Sequence, residues 1–409
     1  MSDTASTRAT GASASPAPPR PDGELRPPAA LARALVAVAA FVLTGLALRA
    51  VAIAPGGDVI GAKLDWWRAE AARYDTVFVG SSHVLRAFVP ETFDRELAAA
   101  GLESRSFNFG VQAVHLIEER WLLERVLAAG DGHLRRVFFE YQWLTPQIDP
   151  ENAFLPRTIY WHDWEATSLA VERALHWERE LGAGFGYVED EAQRHSIFTL
   201  ADRCLPSGLR ASHEHLEHFA AERLLIGRGK DVAKGLLRTP APRWAQTEGY
   251  VALEDDAAGA GAEPRSYLAR RKRFLDERER FRNDVAMLER EPVVFGDADW
   301  VNEALTRVDD LELVRAIARS VEERGIEFVL VIMPSQSANR PFEERLEREL
   351  GAPVLRYNQP GLHPELYTLE NRFDSGHLSE VGARLFSAEL ARDTATLERA
   401  GQAGAEEVQ

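Results

Sequence analysis

The chain has 409 residues, 45% of them hydrophobic and 27% charged, with a formal net charge of −16 and one cysteine. With 64 acidic against 48 basic residues and no extended basic run, it carries no electrostatic footprint for a nucleic acid. Cys204 alone makes neither an intramolecular disulfide nor a thiolate zinc site, so disulfide scaffolds and zinc ribbons are excluded.

Residues 1–28 are rich in Ala, Ser, Thr and Pro, with Pro16, Pro18, Pro19, Pro21, Pro27 and Pro28 clustered and few large apolar groups. Such a segment cannot offset its chain entropy and is expected to be a disordered cytoplasmic tail. Residues 29–54 are the membrane candidate. From Ala34 to Leu48 every side chain is uncharged, Arg49 can snorkel, and the apolar pattern resumes to Ala54. Arg20, Arg26 and Arg33 precede it, so the positive-inside rule sends the body across a bacterial-type cytoplasmic membrane as the exported part of a single-pass protein. A signal peptide cleaved near Ala50-Val51-Ala52 or Ala54-Pro55 is a rival reading that also exports the body, and a buried core helix is the third.

From Leu64 onward the pattern is α/β. A short helix with Trp66, Trp67 and Ala71 leads into a buried strand, Thr76-Val77-Phe78-Val79, stopped by Gly80. A helix with Pro90 near its start and Phe93 and Leu97 on one face follows, then a strand from Arg105 to Phe109 ending at Gly110. His115 to Ala129 has helical apolar spacing, and Arg136 to Tyr141 makes a third strand. This rhythm predicts a parallel sheet. It breaks after Trp143: residues 146–299 form charged, helical segments without strand alternation, including the cluster Arg270-Arg271-Lys272-Arg273, and are expected to be a mostly helical insertion. The rhythm returns with a helix at Leu311–Arg324, a strand at Glu327–Met333, a helix at Phe342–Leu350, a strand at Pro353–Tyr357 and a helix at Ser379–Arg392. Residues 64–145 and 300–395 are thus two parts of one domain with a sheet of about five strands, and 396–409 form a tail frayed from Gly401.

Three features fall at the carboxyl ends of the predicted strands, where a doubly wound sheet forms its crevice. Gly80-Ser81-Ser82-His83 follows the first strand, and Ser82 is the candidate nucleophile. Asn108-Phe109-Gly110 closes the second, where a glycine lets backbone N–H groups approach a reacting oxygen. Phe373-Asp374-Ser375-Gly376-His377-Leu378 precedes the last helix. There Asp374 can fix the His377 tautomer while the other ring nitrogen takes a proton from a serine. His83, Asn108 and His115 lie beside these blocks in sequence and are the candidate substrate contacts.

Gly80-Ser81-Ser82, Asn108-x-Gly110 and Asp374-x-x-His377-Leu378 resemble the conserved blocks of the SGNH (GDSL-like) hydrolase superfamily. The resemblance covers about Arg73 to Tyr141 and Leu311 to Arg392. It implies an SGNH/flavodoxin-like three-layer sandwich with a central parallel sheet, a Ser82–His377–Asp374 triad, and oxyanion donors at the Ser82 N–H, the Gly110 N–H and a block-three asparagine. Here block three reads Glu140-Tyr141-Gln142-Trp143, so Gln142 is the amide that can stand in. Ser81 stands where the family's common form has Asp. In layout, an anchored, exported chain of this kind is similar to the alginate O-acetylation enzymes and the D-alanyl transfer protein of teichoic acid. The resemblance implies an O-acyltransferase on a cell-envelope polysaccharide, with an esterase or a catalytically inactive glycan-binding or scaffold subunit as alternatives. It implies an acyl donor, a glycan or small-molecule acceptor and a membrane-bound acyl-transfer partner.

Other motifs argue for less. Ser82 lacks the glycine two residues on that marks the α/β-hydrolase elbow, and no dinucleotide or phosphate-binding glycine motif follows a strand, so no cofactor is expected. His213, His215 and His218, with Glu214 and Glu217, form the one histidine cluster, taken as a solvated helix face rather than a metal site. Trp161-His162-Asp163-Trp164 is a carbohydrate-stacking patch or, by preference, packing of the insertion on the sheet.

Overall fold

The computed structural model describes residues 27–51, 59–130, 132–142, 148, 153, 155–181, 206–228, 243–258, 264–294 and 310–407. The proline-rich tail up to residue 26, Cys204 and the candidate cleavage stretch after Val51 lie outside them.

Helix α1 (Pro27–Val51) holds an 18-residue stretch, Ala30–Ala47, with mean hydropathy 2.1, of which 6% is buried by protein. At 1.5 Å per residue a 25-residue helix is about 37 Å long, and its apolar side chains Leu35, Val36, Phe41 and Leu43 stand exposed. It is long and apolar enough to cross a membrane. A soluble protein would be expected to cover such a surface.

The body is α/β. After α2 (Val59–Glu70) come β1 (Thr76–Gly80), α3 (Ser82–Ala87), α4 (Pro90–Ala99), β2 (Ser106–Gly110), α5 (Leu116–Gly130) and β3 (Arg136–Glu140). Their strands are rich in Val and Phe and buried along their whole length, as parallel strands covered on both faces must be. The insertion supplies α6 (Pro156–Tyr160), α7 (Trp164–Leu181), α8 (Ser207–Leu224), α9 (Leu253–Ala258), α10 (Pro264–Asp276) and α11 (Arg278–Arg290). It also supplies a two-residue strand, β4 (Val293–Val294), which pairs antiparallel with β6 (Ala338–Asn339). The second half adds α12 (Leu311–Glu322), β5 (Glu327–Ile332), α13 (Arg340–Glu349), β7 (Val354–Arg356) and α14 (Glu380–Glu407). The last helix therefore runs through the segment expected to fray, as far as Glu407.

The five long strands form one parallel sheet in the order β2-β1-β3-β5-β7. Val137 pairs with Phe328 and Phe139 with Leu330, so the two halves of the chain meet at the β3–β5 seam. Alternation along the strands sends Val77, Val79, Phe107, Phe109, Val137 and Phe139 to a core shared with α2, α5 and α12. Phe78, Phe138, Val329 and Val331 go to a second core under α4 and α14. The α12 stripe Leu311, Val314, Ile317, Ala318 and Val321 shows why that segment is a helix: its apolar positions recur every three to four residues and all are buried. Strand order reverses between β1 and β3, and a doubly wound sheet opens its crevice at that point.

Candidate active site

Ser82 begins α3 two residues beyond the end of β1, at this crevice. Ser81 caps the helix, its Oγ accepting from the His83 N–H at 3.1 Å. The Asp374 turn is closed by its own carboxylate: Oδ1 accepts from the Gly376 N–H at 2.9 Å and the His377 N–H at 2.8 Å, an Asx-type turn. The same Oδ1 lies 3.0 Å from His377 Nδ1, and His377 Nε2 lies 3.0 Å from Ser82 Oγ. Serine, imidazole and carboxylate therefore stand in one hydrogen-bonded line, joined across 295 positions of sequence. In this arrangement Asp374 holds the proton on Nδ1 and leaves Nε2 to take the serine proton.

The insertion takes part in the site. Arg270 of α10 donates to Asp374 Oδ2 and lies 3.4 Å from His377 Nδ1. Its neighbour Arg271 donates to the carbonyl oxygens of Arg372 and Phe373, bracing the turn from outside. Arg372 braces it from inside, fully buried, with its guanidinium on the Pro334 carbonyl at 2.8 Å and over the Tyr367 ring. A cleft of about 280 Å³ opens beside Asp374, walled by Arg270, Arg273, Phe274 and Phe281 of the insertion and by Gln336.

Burial pushes the Asp374 carboxyl up, but the His377 hydrogen bond, the His377 charge and Arg270 outweigh it and hold the group well below the ordinary carboxylate range. For His377, burial is the largest influence and lowers its pKa. Asp374 opposes it, and His83 and Arg270 add to the lowering, so the net shift is downward. Both shifts favour an ionised Asp374 beside a neutral His377, the protonation state a base needs.

The other expected site residues fall differently. Asn108 is fully buried and its amide is engaged within the fold: its Nδ2 donates to the Val84 and Phe88 carbonyls at 2.8 and 2.7 Å. Its Oδ1 accepts from the Gly110 N–H at 2.8 Å, so the Gly110 donor expected at an oxyanion is already used. Gly110 also packs so tightly under α3 that a Cβ there would stand 2.2 Å from the Leu85 nitrogen. The Gln142 amide is turned to Glu119 Oε1 at 3.2 Å, not to Ser82. His115 leads into α5, its N–H donating to Glu118 at 3.0 Å. Of the three expected oxyanion donors, the Ser82 N–H alone stays available, since the first-turn N–H groups of a helix have no intrahelical acceptor.

His83 does lie at the site. Its ring centroid is 5.4 Å from that of His377, and its Nδ1 is 3.0 Å from Glu140 Oε1. Glu140, at the end of β3, also accepts from the Ser81 N–H at 2.6 Å and the Ser81 Oγ at 3.2 Å. Gly80 makes room for this carboxylate: a Cβ there would stand 2.5 Å from Glu140 Oε2. Glu140 and Arg270 are the site residues that sequence reasoning did not single out. The signal for Glu140 was an acidic residue ending the otherwise apolar run Val137-Phe138-Phe139.

The histidine-cluster expectation changes, whereas Trp161 packs into the core as preferred. His215 and His218, taken as a solvated face, are buried against His162, with His162 Nε2 3.0 Å from His215 Nδ1. Among the described residues no group of three His, Cys, Asp or Glu side chains is arranged to hold a metal ion. Trp161 and His162 pack into the interior, whereas Trp164 is 71% exposed.

Lys63 of α2 is a further buried polar anchor. Its Nζ donates to the carbonyls of Asn108, Gly110 and Gly249, each at 2.8 Å, which ties the segment after α1 to the end of β2 and to the insertion. Burial, followed by the charge of Arg86, pushes its pKa well below the ordinary lysine value.

No family model, curated protein or solved structure matches the chain.

Proposed function

We propose that this chain is a membrane-anchored, SGNH-type serine acyl-ester enzyme whose exported body transfers acyl groups to a cell-envelope polysaccharide or related glycan. The observation that carries this reading is the line Ser82 Oγ, His377 Nε2, His377 Nδ1, Asp374 Oδ1, with 3.0 Å at each link, at the carboxyl end of a parallel sheet. Ser82 attacks the acyl carbonyl of the donor and its proton passes to His377 Nε2. The tetrahedral oxyanion is held by the Ser82 N–H, and His377 returns the proton to the leaving oxygen. The acyl group on Ser82 Oγ then passes to an acceptor hydroxyl, or to water in an esterase of the same fold. Helix α1 supports the anchor, and the arginines before it support export of the body.

A second reading is a catalytically inactive subunit of the same fold, which binds glycan or acts as a scaffold. It is favoured by the engagement of Gly110 with Asn108 and of Gln142 with Glu119, which removes two of three expected oxyanion donors.

A fluorophosphonate probe tests both. Covalent labelling of the wild type that is lost in Ser82→Ala supports the enzyme. Absence of labelling in a folded wild type, or equal labelling of both proteins, overturns it and leaves the inactive subunit.

A further inference from the structure

The Glu140 carboxylate receives three donors: the Ser81 N–H, the Ser81 hydroxyl and His83 Nδ1. Its side chain is 1% exposed, so these contacts fix it from within the fold. With Nδ1 engaged by Glu140, Nε2 is the His83 ring nitrogen left for a ligand hydroxyl. That atom has no hydrogen-bond partner among the described residues and stands 3.9 Å from where a Cβ on Gly376 would lie, beside the turn that carries His377. The His83 side chain is 27% exposed, open to a ligand. Two imidazole rings with centroids 5.4 Å apart and inclined at 43° thus stand side by side, one of them hydrogen-bonded to Ser82 Oγ.

We infer that the His83–Glu140 pair grips the acyl acceptor by a hydroxyl next to the one being acylated, so that the preferred acceptor is a vicinal diol such as a sugar ring presents. This inference rests on the proposed Ser82 acyl-enzyme. Two hydrogen bonds of about 2.8 Å each from adjacent oxygens bridge rings at this separation, whereas a simple alcohol satisfies one imidazole and leaves the other unpaired. The chemistry stays with the triad. The attacking hydroxyl oxygen bonds to the acyl carbon, and its proton passes to His377 Nε2. The carbon–Oγ bond then breaks and Ser82 Oγ regains the proton from His377. The hydroxyl on His83 keeps its proton throughout, so His83 binds and orients the acceptor. Glu140 is a positioning residue that acts through His83.

The test uses the full-length protein in detergent with p-nitrophenyl acetate as donor and equal concentrations of cis-1,2-cyclohexanediol and cyclohexanol as competing acceptors. The ratio of the two acetyl esters is read from one reaction by mass spectrometry, so it does not depend on overall turnover. The wild type is expected to favour the diol about tenfold per hydroxyl, a step of ~1.4 kcal/mol. His83→Phe should fall to the statistical ratio, while His83→Gln, whose amide oxygen can accept, should keep part of the preference. Equal partition in the wild type, or an undiminished preference in both variants, overturns the inference. Ser82-dependent release of p-nitrophenolate with equal partition sinks the diol inference alone. Absence of Ser82-dependent release sinks the acyl-enzyme and the diol inference with it.

Discussion

Arg270 and Asp374 form an ion pair between the helical insertion and the turn that carries His377. Asp374 thus divides its two oxygens between two donors: Oδ1 serves His377 and Oδ2 serves Arg270. The insertion, which interrupts the sheet for roughly 150 residues of sequence, contributes to the electrostatics of the site.

Arg270→Gln removes a positive charge that lowers the His377 pKa. Base catalysis by His377 in the proposed reaction needs its neutral form, so activity is expected to fall as pH drops through that pKa. In the variant the pKa rises, and the acid limb of the kcat/KM profile is expected to move to higher pH. A pH profile of ester turnover for wild type and variant checks the sign. An unmoved or lowered limb removes Arg270 from the electrostatics of the triad.

Asn108→Ala leaves the Val84 and Phe88 carbonyls and the Gly110 N–H without their partner in a fully buried place. Each orphaned group costs on the order of 1–3 kcal/mol. A loss of about 3 kcal/mol or more is expected by urea denaturation, with the KM of any surviving activity little changed. A raised KM at unchanged stability would return Asn108 to the substrate.

The third expectation concerns topology. With α1 in the membrane and the arginine-bearing side inside, protease added to intact spheroplasts is expected to digest the body, and a chain lacking residues 27–51 should leave the membrane pellet. Protection of the body until the spheroplasts are lysed would reverse the orientation.

Much of this architecture is legible in the sequence because burial on both faces writes a strong signal. Val77-Phe78-Val79 and Phe328-Val329-Leu330-Val331-Ile332 are apolar throughout, and both lie in central strands. The chemistry of Asp374 and His377 is legible because their spacing is local, with the carboxylate closing its own turn. What the sequence hides is where a long-range polar partner lands. Asn108 and Gly110 carry the signature of an oxyanion block, yet the nearest acceptor for the Gly110 N–H is the Asn108 side chain two residues before it. Gln142 is two residues from Glu140, but it turns to Glu119 while Glu140 turns to Ser81. Arg270 is one of several basic residues on a charged helix, and only the tertiary fold picks it out. The buried His215 and His218 were masked in the same way, since the apolar surroundings that cover them come from other elements.

The long separation between Ser82 and His377 has a consequence for biosynthesis. The serine, its cap and the first three strands are translated early, whereas the imidazole follows the β5 and β7 strands that complete the sheet. Under the proposed export topology, a nascent chain therefore carries an ordinary, unactivated hydroxyl until the segment with His377 is made. The proposed acyl chemistry can begin only once nearly the whole polypeptide has emerged on the side where its base arrives.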